Sequence, residues 1–397
     1  MSNNRNTEID IVRGLSILFV VALHISIPNV FWTNLLGSFH MVIFIFCSGY
    51  CFNNKHIAQK NAIWSMFIKK VKTLYLPFLL FNSVMILLNN LFIRLNIYTD
   101  EDIFIQADLG MANFYGLKWK INIYEMLHQI GGIILFGKYG ETQLGGATWF
   151  LRVLFIITMI FFLIEWLIIK AFKEKAASIG KWIHLSLGTI LCIVGWKGHE
   201  LGCSNTYQYL TCCSIYFVYV LGYLVAKTDV LEVLKSSIFC AIVMLAISMF
   251  VLTLITPEAS IAINANSYAS IQHLVLCSIF GIIACFALAS LVGKIRYLNK
   301  IFVVLGKNSL YIMMFHFLAF KIVTLAEVIY YREPYCFVAS FPVLYTEGVW
   351  RILYLFVGNF VPVVVVVFGR KIKKKFVKLR YELLCRITKS KGNPYVQ

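Results

Sequence analysis

The chain has 397 residues, of which 60% are hydrophobic and 14% are charged, and its mean hydropathy is +0.79. Soluble domains are roughly 45–50% apolar and about 25% charged, so this composition excludes an ordinary soluble protein. The net charge of +18 comes from basic residues between apolar runs, which indicates membrane topology and argues against a nucleic-acid partner. The eleven cysteines show no zinc or disulfide spacing, and the sequence predicts no metal site.

Apolar runs of about 20 residues recur along the chain and predict an all-α, polytopic integral membrane protein. Charged breaks between the runs divide residues 1–368, taken as one domain, into ten transmembrane helices. We predict these helices at 9–27, 36–53, 74–94, 149–169, 183–197, 208–226, 236–256, 269–292, 301–325 and 347–368.

Basic residues in the loops predict the orientation of this domain. Lys and Arg are frequent in the loops that follow the even-numbered helices, whereas the loops at 28–35 and 257–268 contain none. The positive-inside bias therefore places both termini in the cytoplasm, in agreement with an even number of spans. We expect the protein in the cell (inner or plasma) membrane.

Two segments outside the spans are expected to contact the membrane surface. Residues 95–148 form a long extracytoplasmic loop that should fold over the membrane face, and within it 121–136 should be a re-entrant or interfacial helix. The basic tail, residues 369–397, predicts an interfacial helix on anionic membrane lipids, although plain positive-inside anchoring explains its charge equally well. Its apolar stripe consists of Ile372, Phe376, Leu379, Leu383 and Ile387.

The first predicted helix carries three ionisable residues, Asp10, Arg13 and His24, on one face. The eleven residues from Arg13 to His24 complete about three turns plus 20° and span roughly 16 Å. Ionisable groups are costly inside a bilayer, so such a stripe indicates a functional site. The alternative is an interfacial Asp10–Arg13 pair below a histidine that is hydrogen-bonded within the core.

Other polar residues are expected near the two ends of this stripe, in the outer half of the bilayer beside His24 and at the cytoplasmic side beside Arg13. His40, His316 and Arg152 should converge near His24 in the outer half of the bilayer. A neutral histidine can accept a proton from an attacking hydroxyl, and lysine with arginine can bind phosphates. Coenzyme A fits this layout, because its pantetheine arm of roughly 15–20 Å matches the distance along the first helix. The cytoplasmic mouth should collect Arg13, Lys69, Lys70, Lys72 and Lys307.

Five stretches of sequence occur in order over nearly the whole chain: EIDIVRGLSILFVVALH, SFHMVIFIFCSGY, KKVKTLYLPF, GATWFLRVLF and GKNSLYIMMFHF. Together they resemble the acyltransferase 3 family of ten-span membrane acyltransferases, especially the sugar O-acetylase branch near fucose acetylases. The resemblance implies that an acetyl group moves from cytoplasmic acetyl-CoA to a hydroxyl of a cell-surface glycan or its lipid-linked precursor.

The resemblance also implies a catalytic centre on the first helix. His24 falls on the family's helix 1 histidine and would act as the general base, while Arg13 and Asp10 would orient or neutralise the site below it. Three lysines near helix 3 would bind the CoA phosphates, or would contribute only positive-inside charge. These are Lys69, Lys70 and Lys72. The family's second basic position here is Thr73, which removes one bidentate phosphate contact.

Substrate binding is implied for four further residues. Arg152 would polarise the thioester carbonyl or bind the sugar, or would only anchor its helix at the interface. His40 and His316 are second candidates for the base or a proton shuttle, and either could instead be structural. Tyr50 ends the Ser-Gly-Tyr motif of helix 2, and Glu165 is interpreted as an interfacial charge.

Two other functions fit a multispan chain with polar residues in the membrane. A transporter or flippase of lipid-linked sugars would use intramembrane His and Arg as substrate or proton sites, but the sequence has no inverted repeat and no pair of broken helices. A glycan polymerase would share the large outer loop. The basic mouth favours the acyltransferase, while the acceptor and the oligomeric state stay open.

Overall fold

Helices make up most of the described structure. The computed structural model describes residues 7–27, 29–57, 61–99, 119–136, 142–256 and 261–390, and its only bridge between extended residues joins Ala262 to Ser267. The α-helices of these ranges are α1 (Thr7–Leu23), α2 (Val30–Gly37), α3 (His40–Tyr50), α4 (Ala62–Lys70), α5 (Leu76–Leu87), α6 (Asn89–Arg94), α7 (Ile123–Phe136), α8 (Trp149–Phe172), α9 (Ala176–Glu200), α10 (Tyr209–Val225), α11 (Glu232–Ser236), α12 (Ile238–Ile255), α13 (Ile271–Gly293), α14 (Arg296–Lys307), α15 (Ser309–Tyr331) and α16 (Val349–Ser390).

These helices confirm an all-α, polytopic membrane protein. Seven helical stretches in the described ranges are long and apolar enough to cross a bilayer, and the shorter helix α10 is also apolar. Each predicted span coincides with at least one helix. The count of ten spans and the cytoplasmic position of the termini stay predictions.

Helix α1 lies inside the bundle and packs against α3, α13, α14, α15 and α16. Glycines allow its close contact with α14. A Cβ at Gly306 would lie 1.7 Å from the carbonyl oxygen of Asp10, and a Cβ at Gly14 would lie 2.2 Å from that of Phe302. The two helix backbones therefore touch directly, and this contact fixes the position of the helix that carries Arg13.

The second predicted span is divided into α2 and α3 at Ser38 and Phe39. The Ser38 hydroxyl donates to the carbonyl oxygen of Leu35 at 2.7 Å. Phe39 packs on Gly281 so closely that a Cβ there would lie 2.2 Å from the Phe39 side chain. The interruption places His40 at the first position of α3.

The ninth predicted span, 301–325, is also two helices rather than one. Asn308 separates α14 from α15, and its side-chain amide donates to the carbonyl oxygen of Val304 at 2.8 Å. His316 therefore lies seven residues into its helix, or about 10 Å, and not the roughly 22 Å that a single helix from residue 301 would give.

The third predicted span begins earlier than the sequence indicates. Helix α4 starts at Ala62 and passes through a π-helical turn, Val71–Tyr75, into α5. Pro77 is the second residue of α5 and follows the π-helical turn directly. Lys69, Lys70 and Lys72 consequently lie within helical structure and not in a preceding loop.

Helix α7 confirms the helix that the sequence predicts at 121–136. The Tyr75 hydroxyl donates to the carbonyl oxygen of Ile134 at 3.2 Å, which joins α7 to the start of α5. Within the predicted extracytoplasmic loop, residues 100–118 and 137–141 lie outside the described residues.

The basic tail is helical to Ser390 and continues the last predicted span as part of α16. Residues 391–397 and the side chains of Leu379, Leu383 and Ile387 lie outside the part of the chain that is described. An interfacial position for the tail stays a prediction.

Candidate active site

A cavity of about 330 Å³, the Arg13 cavity, lies between α1, α3, α4, α8 and α15. Its polar lining consists of Arg13, Ser48, Asn53, Lys69, Lys70, Thr73, Tyr219 and Ser309. Three cations and several hydroxyl groups around one space favour a phosphate or another anionic ligand.

The cations of the Arg13 cavity are placed differently from one another. Arg13 is partly buried and has no hydrogen bond or ion pair to any described residue, so its guanidinium is available to a ligand. Lys70 is partly buried and Lys69 is exposed. Thr73 lines the cavity and its hydroxyl donates to the Lys69 carbonyl oxygen at 2.9 Å, whereas Lys72 does not line it.

A second cavity, of about 280 Å³, lies at the C-terminal end of α1. We call it the His24 cavity. His24 and His40 contribute imidazole rings to its wall, and Thr33, Asn34 and Asn264 contribute smaller polar groups. This set can hydrogen-bond a hydroxyl-rich ligand and accept a proton from it.

His24 lies one residue beyond α1, because the helix ends earlier than the predicted residue 27. Its backbone N–H still donates to the carbonyl oxygen of Val20 at 3.3 Å, and Ser26 then takes a left-handed conformation with φ 61°. The His24 ring stacks on the ring of His316, with centroids 5.2 Å apart, and meets Phe317 edge-on at 4.7 Å. The structure thus brings together the histidines that the sequence predicts to converge.

Backbone hydrogen bonds orient the other two imidazoles. Nδ1 of His40 lies 3.0 Å from the carbonyl oxygen of Leu36, and Nδ1 of His316 lies 2.9 Å from that of Ile312. Since a carbonyl only accepts, Nδ1 carries a proton in both rings, and Nε2 is the free acceptor of the neutral form. His40 faces the cavity, but His316 is fully buried behind His24.

A partition one side chain thick separates the two cavities. Met313 of α15 lines both of them. On α3, Met41 lines the His24 cavity, and Phe44, one turn away, lines the Arg13 cavity. On α8, Trp149 lines the His24 cavity and its neighbour Phe150 lines the Arg13 cavity. The rings of Phe44 and Phe150 are 5.7 Å apart. The cationic and histidine sites therefore adjoin each other.

A loop that sequence reasoning missed forms one wall of the His24 cavity. Ile263 and Asn264, between α12 and α13, line this cavity, and the Thr211 hydroxyl donates to the Ile263 carbonyl oxygen at 3.0 Å. From the long segment predicted as a cover, only Ala147 lines it among the described residues. No signal in the sequence distinguishes the shorter loop, because it contains no histidine, lysine or arginine.

Three residues expected at the site lie outside both cavities. Arg152 is 3% exposed, and its Nη2 donates to the side-chain oxygen of Gln208 at 2.8 Å. The Tyr50 ring packs near Phe286, with centroids 6.4 Å apart. Asp10 is buried on α1 beside α14. The geometry gives none of the three a contact with either cavity.

A buried polar network around Glu165 shows that its interpretation as an interfacial charge is wrong. The Glu165 carboxylate contacts Nε2 of His184 at 3.0 Å and accepts from the Asn54 side-chain amide at 2.9 Å and from the Tyr223 hydroxyl. Lys227 donates to that hydroxyl at 2.6 Å, and burial lowers the Lys227 pKa from its usual value. The network joins α8, α9 and α10. Glu165 and His184 lie on either side of the turn between α8 and α9, and this proximity in sequence could have predicted that they pair.

The apolar helices and the two adjoining cavities define a multi-pass membrane protein with a polar site buried among its helices. The chain belongs to the acyltransferase 3 family: the family model described as an acyltransferase domain matches residues 6–370. This confirms the resemblance and supports a membrane acyltransferase, whereas the sugar O-acetylase branch stays a prediction. Comparison with curated proteins and with solved structures gives no match.

Proposed function

We propose that the chain transfers an acetyl group from acetyl-CoA, bound from the cytoplasm in the Arg13 cavity, to a hydroxyl of a cell-surface glycan or its lipid-linked precursor in the His24 cavity. The observation that carries this proposal is that a cationic cavity and a histidine cavity adjoin at one thin partition. An acyltransferase needs a place for each substrate and a base beside the acceptor, and two adjoining cavities with His24 in the wall of one of them support this proposal.

The charge of the Arg13 cavity and its distance from His24 favour acetyl-CoA as the donor. Arg13, with no ion pair to a described residue, and the partly buried Lys70 favour an anion such as the CoA phosphates. The distance of roughly 16 Å from Arg13 to His24 along α1 matches a pantetheine arm of about 15–20 Å. A CoA thioester anchored at Arg13 would therefore extend its acetyl group towards His24.

The reaction follows from the position of His24. The acceptor hydroxyl gives its proton to the His24 imidazole while its oxygen bonds to the thioester carbonyl carbon. The carbon–sulfur bond then breaks, and the sulfur leaves as CoA, which takes the proton back from His24. The products are an acetyl ester and free CoA, and a positioned base of this kind contributes about 10²–10⁴-fold to the rate.

The remaining predicted residues differ in their proposed roles. His40 can hydrogen-bond the acceptor through Nε2, and His316 supports the His24 ring from behind. Arg152, Tyr50 and Asp10 have no contact with either cavity, so they receive no direct role in binding the substrates.

The test is acyl transfer by purified protein with acetyl-CoA, measured as release of the CoA thiol and as O-acetyl signals in the glycan by proton NMR. His24→Gln should lower the rate by about 10²-fold or more, since it removes the base. The matched control is His273→Gln, because His273 is a buried histidine that lies outside both cavities. A His24→Gln protein with the wild-type rate would contradict the role of His24. A wild-type protein that neither binds acetyl-CoA nor acylates a glycan would overturn the proposed function.

A further inference from the structure

We propose that Met313 is the movable part of the partition, and that the acyl group passes from the Arg13 cavity to the His24 cavity when this side chain turns aside. This inference deepens the proposed function and rests on it. The starting observation is that Met313 lines both cavities and is itself only 3% exposed.

The place of Met313 on α15 puts it between the two halves of the site. It follows Ser309, which lines the Arg13 cavity, by four residues, and it precedes His316, which stacks on His24, by three. At about 1.5 Å per residue these intervals are roughly 6 and 4.5 Å. Met313 therefore lies between the Ser309 wall of the Arg13 cavity and the stacked rings of His24 and His316.

Two partition residues are methionines, but Met41 lines only the His24 cavity, whereas Met313 lines both cavities and its other neighbours in the partition are aromatic. Phe44 contacts Phe150 at 5.7 Å between centroids, and Phe150 contacts Trp149 at 6.0 Å. Aromatic rings packed in this way have few alternative positions, because any rotation meets a neighbour. Methionine is unbranched and has three rotatable side-chain bonds, so it can change shape without movement of its helix.

A movable partition also solves a problem of side reactions. When Met313 is in place, water in the His24 cavity is kept from the thioester in the Arg13 cavity. When it turns aside, the thioester carbonyl carbon meets the acceptor hydroxyl beside His24, and the transfer described above follows with no further reactant. Product ester and free CoA are then on opposite sides of the closed partition.

The first test compares Met313→Trp with Met314→Trp. Met314 is the next residue on α15, is similarly buried and lines neither cavity. Met313→Trp should lower acetyl transfer by about 100-fold, the effect of a misplaced reacting group, while the dissociation constant of CoA stays within about twofold. Met314→Trp should change neither quantity by comparison. Transfer at the wild-type rate by Met313→Trp would overturn the proposal.

The second test needs no acyl transfer and keeps the proposal testable if the tryptophan variant does not fold. Cys51 lines the Arg13 cavity, so a membrane-impermeant methanethiosulfonate added from the outer side must pass the partition to reach it. Mass spectrometry of the Cys51 peptide should show modification in Met313→Ala, but none in the wild type or in Met314→Ala. Equal protection of Cys51 in all three proteins would overturn the proposal. Modification limited to Met313→Ala, in a protein that consumes no acetyl-CoA, would support the partition and refute the proposed function.

Discussion

Replacing Gly306 with alanine is expected to push α1 away from α14 and to misplace Arg13. The new Cβ would lie 1.7 Å from the Asp10 carbonyl oxygen, and real contacts of this kind do not fall below 3.0 Å, so the backbones must separate by about 1.3 Å. Overpacking of this kind costs about 1–3 kcal/mol, whereas removing a glycine from a helix gains only about 0.5–1 kcal/mol. The clash therefore outweighs the helix propensity, and the variant should be less stable than the wild type.

The functional effect should be larger than the loss of stability. A displacement of about 1 Å in a catalytic arrangement can cost about 10²-fold in rate, and α1 carries Arg13 while His24 directly follows it. The assay is thermal unfolding of the detergent-solubilised protein together with turnover of the acyl donor. The control is Gly132→Ala on α7, where a Cβ meets no atom within 4 Å. If Gly306→Ala matches Gly132→Ala in both measurements, the contact between the two helices does not position the site.

Three other substitutions test single contacts. Arg13→Ala should raise the KM for the donor by about 10-fold or more, because it removes a charged hydrogen bond to the donor. Arg13→Lys should recover part of this loss. A lower kcat at unchanged KM would contradict a binding role. Lys70→Ala should weaken CoA binding more than Lys72→Ala, since Lys70 lines the Arg13 cavity and Lys72 does not. Equal dissociation constants for the two variants would refute this difference. Glu165→Ala should destabilise the protein by about 1–3 kcal/mol, because it leaves Nε2 of the buried His184 without a hydrogen-bond partner while Nδ1 keeps its contact with Tyr216. An unchanged unfolding midpoint would show that the network contributes nothing.

The sequence was sufficient for features that depend on length and periodicity. Apolar run lengths located the helices, because a bilayer demands about 20 apolar residues for each crossing. Depth along the predicted spans brought His24 and His40 to one cavity, whereas the stack of His24 on His316 formed although the predicted depth of His316 was wrong. These inferences need no knowledge of how neighbouring helices rotate about their own axes.

Rotation and local breaks could not be predicted in this way. Hydropathy gives the depth of Arg152 and Tyr50 but not the direction in which they point, and packing turns both away from the cavities. The break at Asn308 depends on one side-chain hydrogen bond to the preceding turn. Met313 is an apolar residue in an apolar helix, so its place between two cavities becomes visible only when three helices are assembled.

Helix α16 runs for 42 residues, which is about 63 Å and roughly twice the hydrocarbon thickness of a bilayer. Where the tail leaves the last span, Arg370 donates from Nη1 to the Asn308 side-chain oxygen at 3.3 Å and lies 5.0 Å from the Tyr311 ring centroid. No glycine or proline occurs between Arg370 and Ser390, so this part of the helix extends for about 30 Å without a residue that favours a bend. Asn308, which this arginine contacts, directly precedes Ser309, and Ser309 lines the Arg13 cavity. A protein or lipid surface that bound this basic segment would therefore act on a helix whose contact with α15 lies beside the Arg13 cavity.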